Sequence, residues 1–171
     1  RQTWVPYASI SSNLKKAVLA AEDSGFAEHD GVEWEAIEKA ALENLQKGKI
    51  KRGGSTITMQ LAKNLFLSAD RSLLRKGQEL VITLMLEAVL EKRRILEIYL
   101  NVAEWGEGVF GIEAAARHYY GVSARQLTVE QSAWLASILP APKRFDKNRG
   151  SAFIRGKAEV IQARMPQVVL P

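Results

Sequence analysis

The chain has 171 residues, 47% of them apolar and 25% charged, which suits one folded domain with a real core. It has no cysteine, which excludes disulfides, thiolate metal sites and cysteine nucleophiles, and its two histidines, His29 and His118, lie too far apart in sequence to suggest a histidine-rich metal site. A pI near 9.5 admits phosphorylated substrates, anionic lipid or nucleic acid as partners, while the longest apolar run, Leu80 to Leu90, is too short to cross about 30 Å of hydrocarbon.

Helical periodicity recurs almost throughout and strand signals are nearly absent, which predicts an all-α globule. Leu14, Val18 and Ala21 give a first helix its inner face. Asp30 three before Glu33 has the spacing of a capping box, opening a second helix with Trp34, Ile37, Ala41 and Leu45 inward and Gly48 as its stop. Residues 49–54 read as a basic loop, and Ser55 caps a helix running to about Leu67. Asp70 caps a long helix reaching about Arg93, with Ile95 to Val102 continuing helically. Gly106 and Gly108 mark a loop, and Gly111 to Tyr120 is a helix closed by Gly121. Thr128 with Gln131 forms another capping box, whose helix ends at Pro140-Ala141-Pro142. A last helix covers roughly Phe153 to Met165.

Charge is concentrated. Between Glu43 and Lys76 eight cations (Lys47, Lys49, Lys51, Arg52, Lys63, Arg71, Arg75, Lys76) face two anions (Glu43, Asp70), a net +6 in a chain of +5 overall. Glu22-Asp23 precedes this window and Glu79 follows it. A positive site between two candidate carboxylates suits a phosphate-bearing leaving group and an acid/base step. Gly53-Gly54-Ser55-Thr56 leads into a helix whose free N–H groups favour an anion, but it lacks the lysine spacing of a P-loop. Leu65-Phe66-Leu67 is core or a surface dipping into lipid headgroups.

The long helix is apolar nearly all round from Leu80 to Leu90, which predicts burial at the centre of the domain. Arg71, Arg75, Glu79, Thr83 and Glu87 nevertheless form one polar stripe, which needs partners or a water-filled cleft. For Glu79 an ion pair with Arg75 and a chemical role both remain open; for Glu87 a pair with Arg93 or Arg94 is expected. Glu22 falls where the first helix expects an inward residue, and half-shielding raises a carboxyl pKa toward the range of a general base. Asp23 is expected to bond local backbone or anchor the loop, and His29 to pack and fix the turn before Gly31, with a proton shuttle as its alternative role.

Five segments carry a resemblance. They are EDSGFAEHDG from Glu22 to Gly31, RGGSTITMQLAKN from Arg52 to Asn64, RKGQE from Arg75 to Glu79, KRRILEIYLN from Lys92 to Asn101, and LPAP from Leu139 to Pro142. In this order and with these intervals the chain resembles the peptidoglycan glycosyltransferases of the lysozyme-like, membrane-associated type. The run from Asn101 to Gly121 is similar to their monofunctional branch, which carries no penicillin-binding domain. One departure is Met59, where the family more often has glutamine.

The resemblance implies an all-α, lysozyme-like domain over residues 1–171, with a small basic jaw at about 44–72 facing the membrane. It implies polymerisation of lipid II into β-1,4-linked glycan with inversion, releasing undecaprenyl diphosphate. Glu22 matches the general base, and Glu79 the second carboxylate, near the donor diphosphate, acting either as a ligand for Mg²⁺ or another divalent cation or by assisting departure of the leaving group. Lys63 and Arg71 match the cations on the diphosphate, with Arg75 and Lys76 in support. Ser55, Thr56, Gln60 and Asn64 would line the cleft. The implied partners are lipid II, the growing glycan chain, the membrane surface and other cell-wall synthesis proteins, with moenomycin as inhibitor and no nucleic acid. The implied location is the periplasmic face of the inner membrane, and the chain reads as a soluble catalytic fragment without the N-terminal anchor. A lysozyme-type hydrolase is the alternative enzyme, although cutting glycan needs no diphosphate-binding cations. A basic nucleic-acid module fits poorly, because Glu79 and Glu87 interrupt the cationic stripe.

Overall fold

The computed structural model describes residues 2–47, 55–66 and 72–171, so Gly48, the basic loop 49–54, Leu67, Asp70 and Arg71 lie outside the described residues. The Ser11 hydroxyl accepts the Asn13 N–H and opens α1 (Ser12–Glu22), whose Leu14, Ala17, Val18 and Leu19 are fully buried. Helices α2 (Trp34–Lys47), α3 (Ile57–Phe66), α4 (Leu73–Val89) and α5 (Lys92–Val102) follow. A short antiparallel hairpin, β1 (Glu104–Gly106) with β2 (Val109–Phe110), leads into α6 (Ile112–Tyr120), α7 (Val129–Ile138), α8 (Pro142–Asp146) and α9 (Ala152–Arg164). Apart from the hairpin the described residues are all-α, as the periodicity predicts.

The core forms where α1 packs on α7 and α9, and the cluster continues through Ile95, Leu96 and Leu100 of α5 to Ile57 and Leu61 of α3. Helix α3 therefore bridges the core and α4, against which it packs. The N-terminal strap is held by Asn101. Its amide accepts from Val5 N at 2.8 Å and donates to Val5 O at 2.9 Å, copying a strand pairing with one side chain. The His118 Nε2–H donates to Asp146 at 2.9 Å and Arg149 donates to Asp146 at 2.7 Å, tying α6 to the segment after α8.

Local signals placed several boundaries. Thr128 and Gln131 exchange both capping-box bonds at the start of α7, and Gly121 closes α6 in the left-handed region at φ 65°. Others differ. Thr56, rather than Ser55, caps α3 by accepting the Met59 N–H, and Ser72 caps α4 by accepting the Arg75 N–H. Glu33, not Asp30, supplies the carbonyl that starts α2, and Trp34 faces solvent instead of the core. The long helix breaks at Leu90 and Glu91, both extended, so α4 and α5 are separate. The expected loop at Gly106 and Gly108 is the hairpin, with Gly108 turning at φ 71°.

The largest departure is the orientation of α4. Arg75, Glu79 and Thr83 are buried, whereas Leu73, Leu74, Val81, Leu84, Met85 and Val89 are exposed, Leu73 at 92% and Val89 at 80%. The helix turns its polar stripe inward toward α3 and its apolar face outward. The polar groups are held in that setting by partners. The Thr58 hydroxyl donates to Glu87 at 2.7 Å, and Thr83 donates to the Glu79 carbonyl.

Candidate active site

Glu22 is the last residue of α1 and is half-buried. Its Oε2 accepts from the Gln60 amide Nε2 at 3.1 Å, and the Gln60 Oε1 accepts from the Tyr99 hydroxyl at 3.0 Å. Three helices, α1, α3 and α5, thus meet at one carboxylate. Tyr99 is buried, and burial followed by the nearby Glu22 charge pushes its phenol well above the ordinary value, so it remains a protonated donor.

Asp23 next to it is built into the framework. Its carboxylate accepts the His29 Nε2–H at 2.7 and 2.8 Å and the Ile57 N–H, at the start of α3, at 3.0 Å. The Gly31 N–H donates to His29 Nδ1 at 2.9 Å, which fixes the proton of a neutral His29 on Nε2. Gly31 sits at φ 96°, and its carbonyl accepts the Thr56 hydroxyl at 2.6 Å. A Cβ on Gly31 would lie 2.5 Å from Glu87 Cγ and 3.0 Å from Thr83 Cγ2, so the loop from Asp23 to Gly31 is pressed against α4. Phe26 in the same loop is buried beneath the Lys92 ammonium, 4.5 Å from its ring centroid.

Asp23, His29 and Glu33 bring three possible ligand atoms within 4.8 Å of one another. With Nδ1 occupied by the Gly31 N–H, however, Nε2 carries the proton and has no lone pair for a metal ion. Burial and then the adjacent Asp23 carboxylate push the Glu33 carboxyl up, as two carboxylates in one place require. Asp23 and His29 form a hydrogen-bonded brace, with the Glu33 carboxylate 4.0 Å from His29 Nε2.

The cations and cleft candidates fall on two helices. Gln60, Lys63 and Asn64 share one face of α3 at spacings of three and four, and Lys63 and Asn64 are exposed. Ser55 is exposed just before that helix, while the Thr56 side chain is buried in its two bonds. Met59 is fully buried, so position 59 points to the interior and not to the cleft. On α4 the buried Glu79 accepts from Lys76 Nζ at 3.2 Å, one helical turn from the Thr83 that meets Gly31. Arg75 is buried on the same stripe. Glu87 pairs with Lys92 at 2.6 Å rather than with Arg93 or Arg94. Arg71 lies outside the described residues.

Sequence reasoning missed Tyr99. It stands in the segment from Lys92 to Asn101, but no local spacing connects it with Gln60, 39 positions away. A tyrosine at an inward position of an amphipathic helix reads as core, and only the fold shows its hydroxyl reaching a cleft residue.

A family model described as Transglycosylase matches residues 1–166. A biosynthetic peptidoglycan transglycosylase of Janthinobacterium sp. (strain Marseille) is 58% identical over 171 residues, covering 100% of this chain and 74% of that protein. Proteins of the same name from Herminiimonas arsenicoxydans and Nitrosospira multiformis are 58% and 55% identical, each with the same coverage. With the family model matching nearly the whole chain and these relatives more than half identical to it, the all-α chain belongs to the transglycosylase family and is a glycosyltransferase.

Proposed function

We propose that this enzyme polymerises lipid II into β-1,4-linked glycan strands with inversion, releasing undecaprenyl diphosphate. The observation that carries the reading is the Glu22 carboxylate, half-buried at the end of α1 with one oxygen held by Gln60, beside an α3 face bearing Lys63 and Asn64. In this reading the acceptor's 4-hydroxyl gives its proton to Glu22 as its oxygen attacks C1 of the donor sugar. The C1–diphosphate bond breaks on the opposite face, so one inversion results. A positioned base contributes roughly 10²–10⁴-fold.

Lys63 and Arg71 receive the charge developing on the departing diphosphate, with Arg75 and Lys76 beside them. Ser55, Gln60 and Asn64 line the cleft, and Thr56 shapes it through the Gly31 carbonyl. Residues 1–171 act as one domain, with about 44–72 as its basic, membrane-facing jaw. Among the described residues Glu79 belongs to no group of three or more acidic or histidine side chains placed to hold a metal ion. That fits Mg²⁺, which is commonly held by one or two carboxylates plus substrate phosphates, better than an all-protein cage. When bound, the ion would neutralise diphosphate charge, and Glu79 would orient it in place of the Lys76 contact.

Among the described residues no helix is long and apolar enough to cross a membrane. The outward face of α4, with Leu65 and Phe66 at the end of α3, offers instead an apolar surface to the outer leaflet of the inner membrane. Seated there, on the periplasmic side, the cleft would meet lipid-linked substrate at the depth of its diphosphate, near the growing glycan and other wall-synthesis proteins.

The test is incubation with labelled lipid II and Mg²⁺ in detergent. Lysozyme-digestible polymer that moenomycin suppresses supports the reading. Release of fragments from preformed glycan, with no polymer from lipid II, would move the activity to hydrolysis.

A further inference from the structure

We infer that Tyr99 is a positioning residue for glycosyl transfer, acting through Gln60 to hold the Glu22 carboxylate; the inference rests on the reading of Glu22 as general base. A glutamine side chain offers one carbonyl acceptor and one NH₂ donor group, and which end faces which neighbour is decided by those neighbours. An ionised carboxylate only accepts. Gln60 must therefore turn its NH₂ toward Glu22, which it does at 3.1 Å, leaving its carbonyl to receive the Tyr99 hydroxyl at 3.0 Å. Turned over, the amide would set its carbonyl oxygen against the carboxylate oxygen. Tyr99 is 2% exposed, so bulk water does not compete for its proton, and the phenol holds the amide in the productive sense.

The three partners come from separate helices whose registers are set by core packing. Leu19 of α1, Leu61 of α3 and Leu100 of α5, all fully buried, stand next to or within three residues of the relay residues. The relay engages Oε2 of Glu22 and leaves Oε1 to take the acceptor's proton. A base at the last turn of a helix would otherwise sample several rotamers, and catalysis by a base needs its oxygen within about 2.6–3.2 Å of the proton it removes. Small misplacements of a reacting group carry large rate penalties. Tyr99 touches neither sugar nor diphosphate in this scheme, so its loss should act on turnover and not on substrate binding.

Tyr99→Phe keeps the ring in the core and removes only the donor, and Gln60→Leu removes the middle of the relay. Tyr99→Phe is expected to lower kcat for lipid II polymerisation about tenfold, with KM within twofold of the wild type. The double variant Tyr99→Phe/Gln60→Leu should equal Gln60→Leu within twofold, because Tyr99 then has nothing to act through. Independent of activity, the ¹⁵N side-chain NH₂ signal of Gln60, assigned by its loss in Gln60→Leu, should be slowly exchanging in the wild type and exchange faster in Tyr99→Phe. Wild-type kcat in Tyr99→Phe, or effects that multiply in the double variant, would overturn the inference while leaving the glycosyltransferase reading intact. A wild-type chain that makes no polymer would remove both.

Discussion

The Asp23 carboxylate accepts the backbone N–H of Ile57 at 3.0 Å, so the residue after Glu22 caps the helix that presents Gln60, Lys63 and Asn64. The candidate base and the candidate diphosphate ligands are thereby set in one frame, with a negative charge at the positive end of α3. Asp23→Ala would leave the His29 Nε2–H and the Ile57 N–H without acceptors, at about 1–3 kcal/mol for each buried donor. Urea melts should show the loss in the transition midpoint, and Asp23→Asn should recover part of it.

Gly31→Ala tests the contact of the same loop with α4. A left-handed backbone costs a non-glycine residue on the order of 1–3 kcal/mol, and the new Cβ would collide with Glu87 and Thr83. The expected result is a lower melting temperature. Polymerisation should fall as well, since the brace from Asp23 to Thr56 cannot keep its place.

The acid side of the stability curve should report Asp146. Burial alone would raise its carboxyl, but hydrogen bonds and charge from His118 and Arg149 outweigh that and hold it below the usual carboxylate range. A lowered carboxyl pKa stabilises the fold fully above the unfolded value of about 3.9, and that contribution is lost as pH falls through the folded value. Asp146→Asn should therefore be less stable than the wild type at pH 6, with the difference closing toward pH 2 in urea melts at both pH values.

The exposed face of α4 should bind lipid. Val81→Asp with Met85→Asp places charge on side chains that are mostly exposed, so the melting temperature should move little. Flotation with vesicles containing anionic lipid should fall severalfold relative to the wild type. Unchanged flotation would remove α4 as the membrane-facing surface.

That helix also marks how far the sequence could be read. Its two faces were visible in the spacing of Arg75, Glu79, Thr83 and Glu87, but periodicity separates faces without saying which one points inward. A water-soluble core would take the apolar face. Here Thr58, Lys76 and Lys92 supply partners that make burying the polar face tolerable. The caps at Thr128 and Gly121 were legible because their bonds close within a few residues. His29 fixes the turn as expected and Asp23 anchors its loop through His29, but the backbone group Asp23 accepts is not local: it is the Ile57 N–H, 34 positions away. The Tyr99 to Gln60 contact was not legible, since it exists only once α3 and α5 pack together.

The most direct measurement is lipid II turnover by Glu22→Gln beside moenomycin binding by the same variant. Glutamine keeps the shape of the side chain and removes its ability to take a proton. Polymer formation should fall by at least about 10²-fold, with moenomycin Kd and melting temperature close to the wild type. Near-normal turnover in that variant would contradict the role of Glu22 and, with it, the chemistry proposed for the cleft.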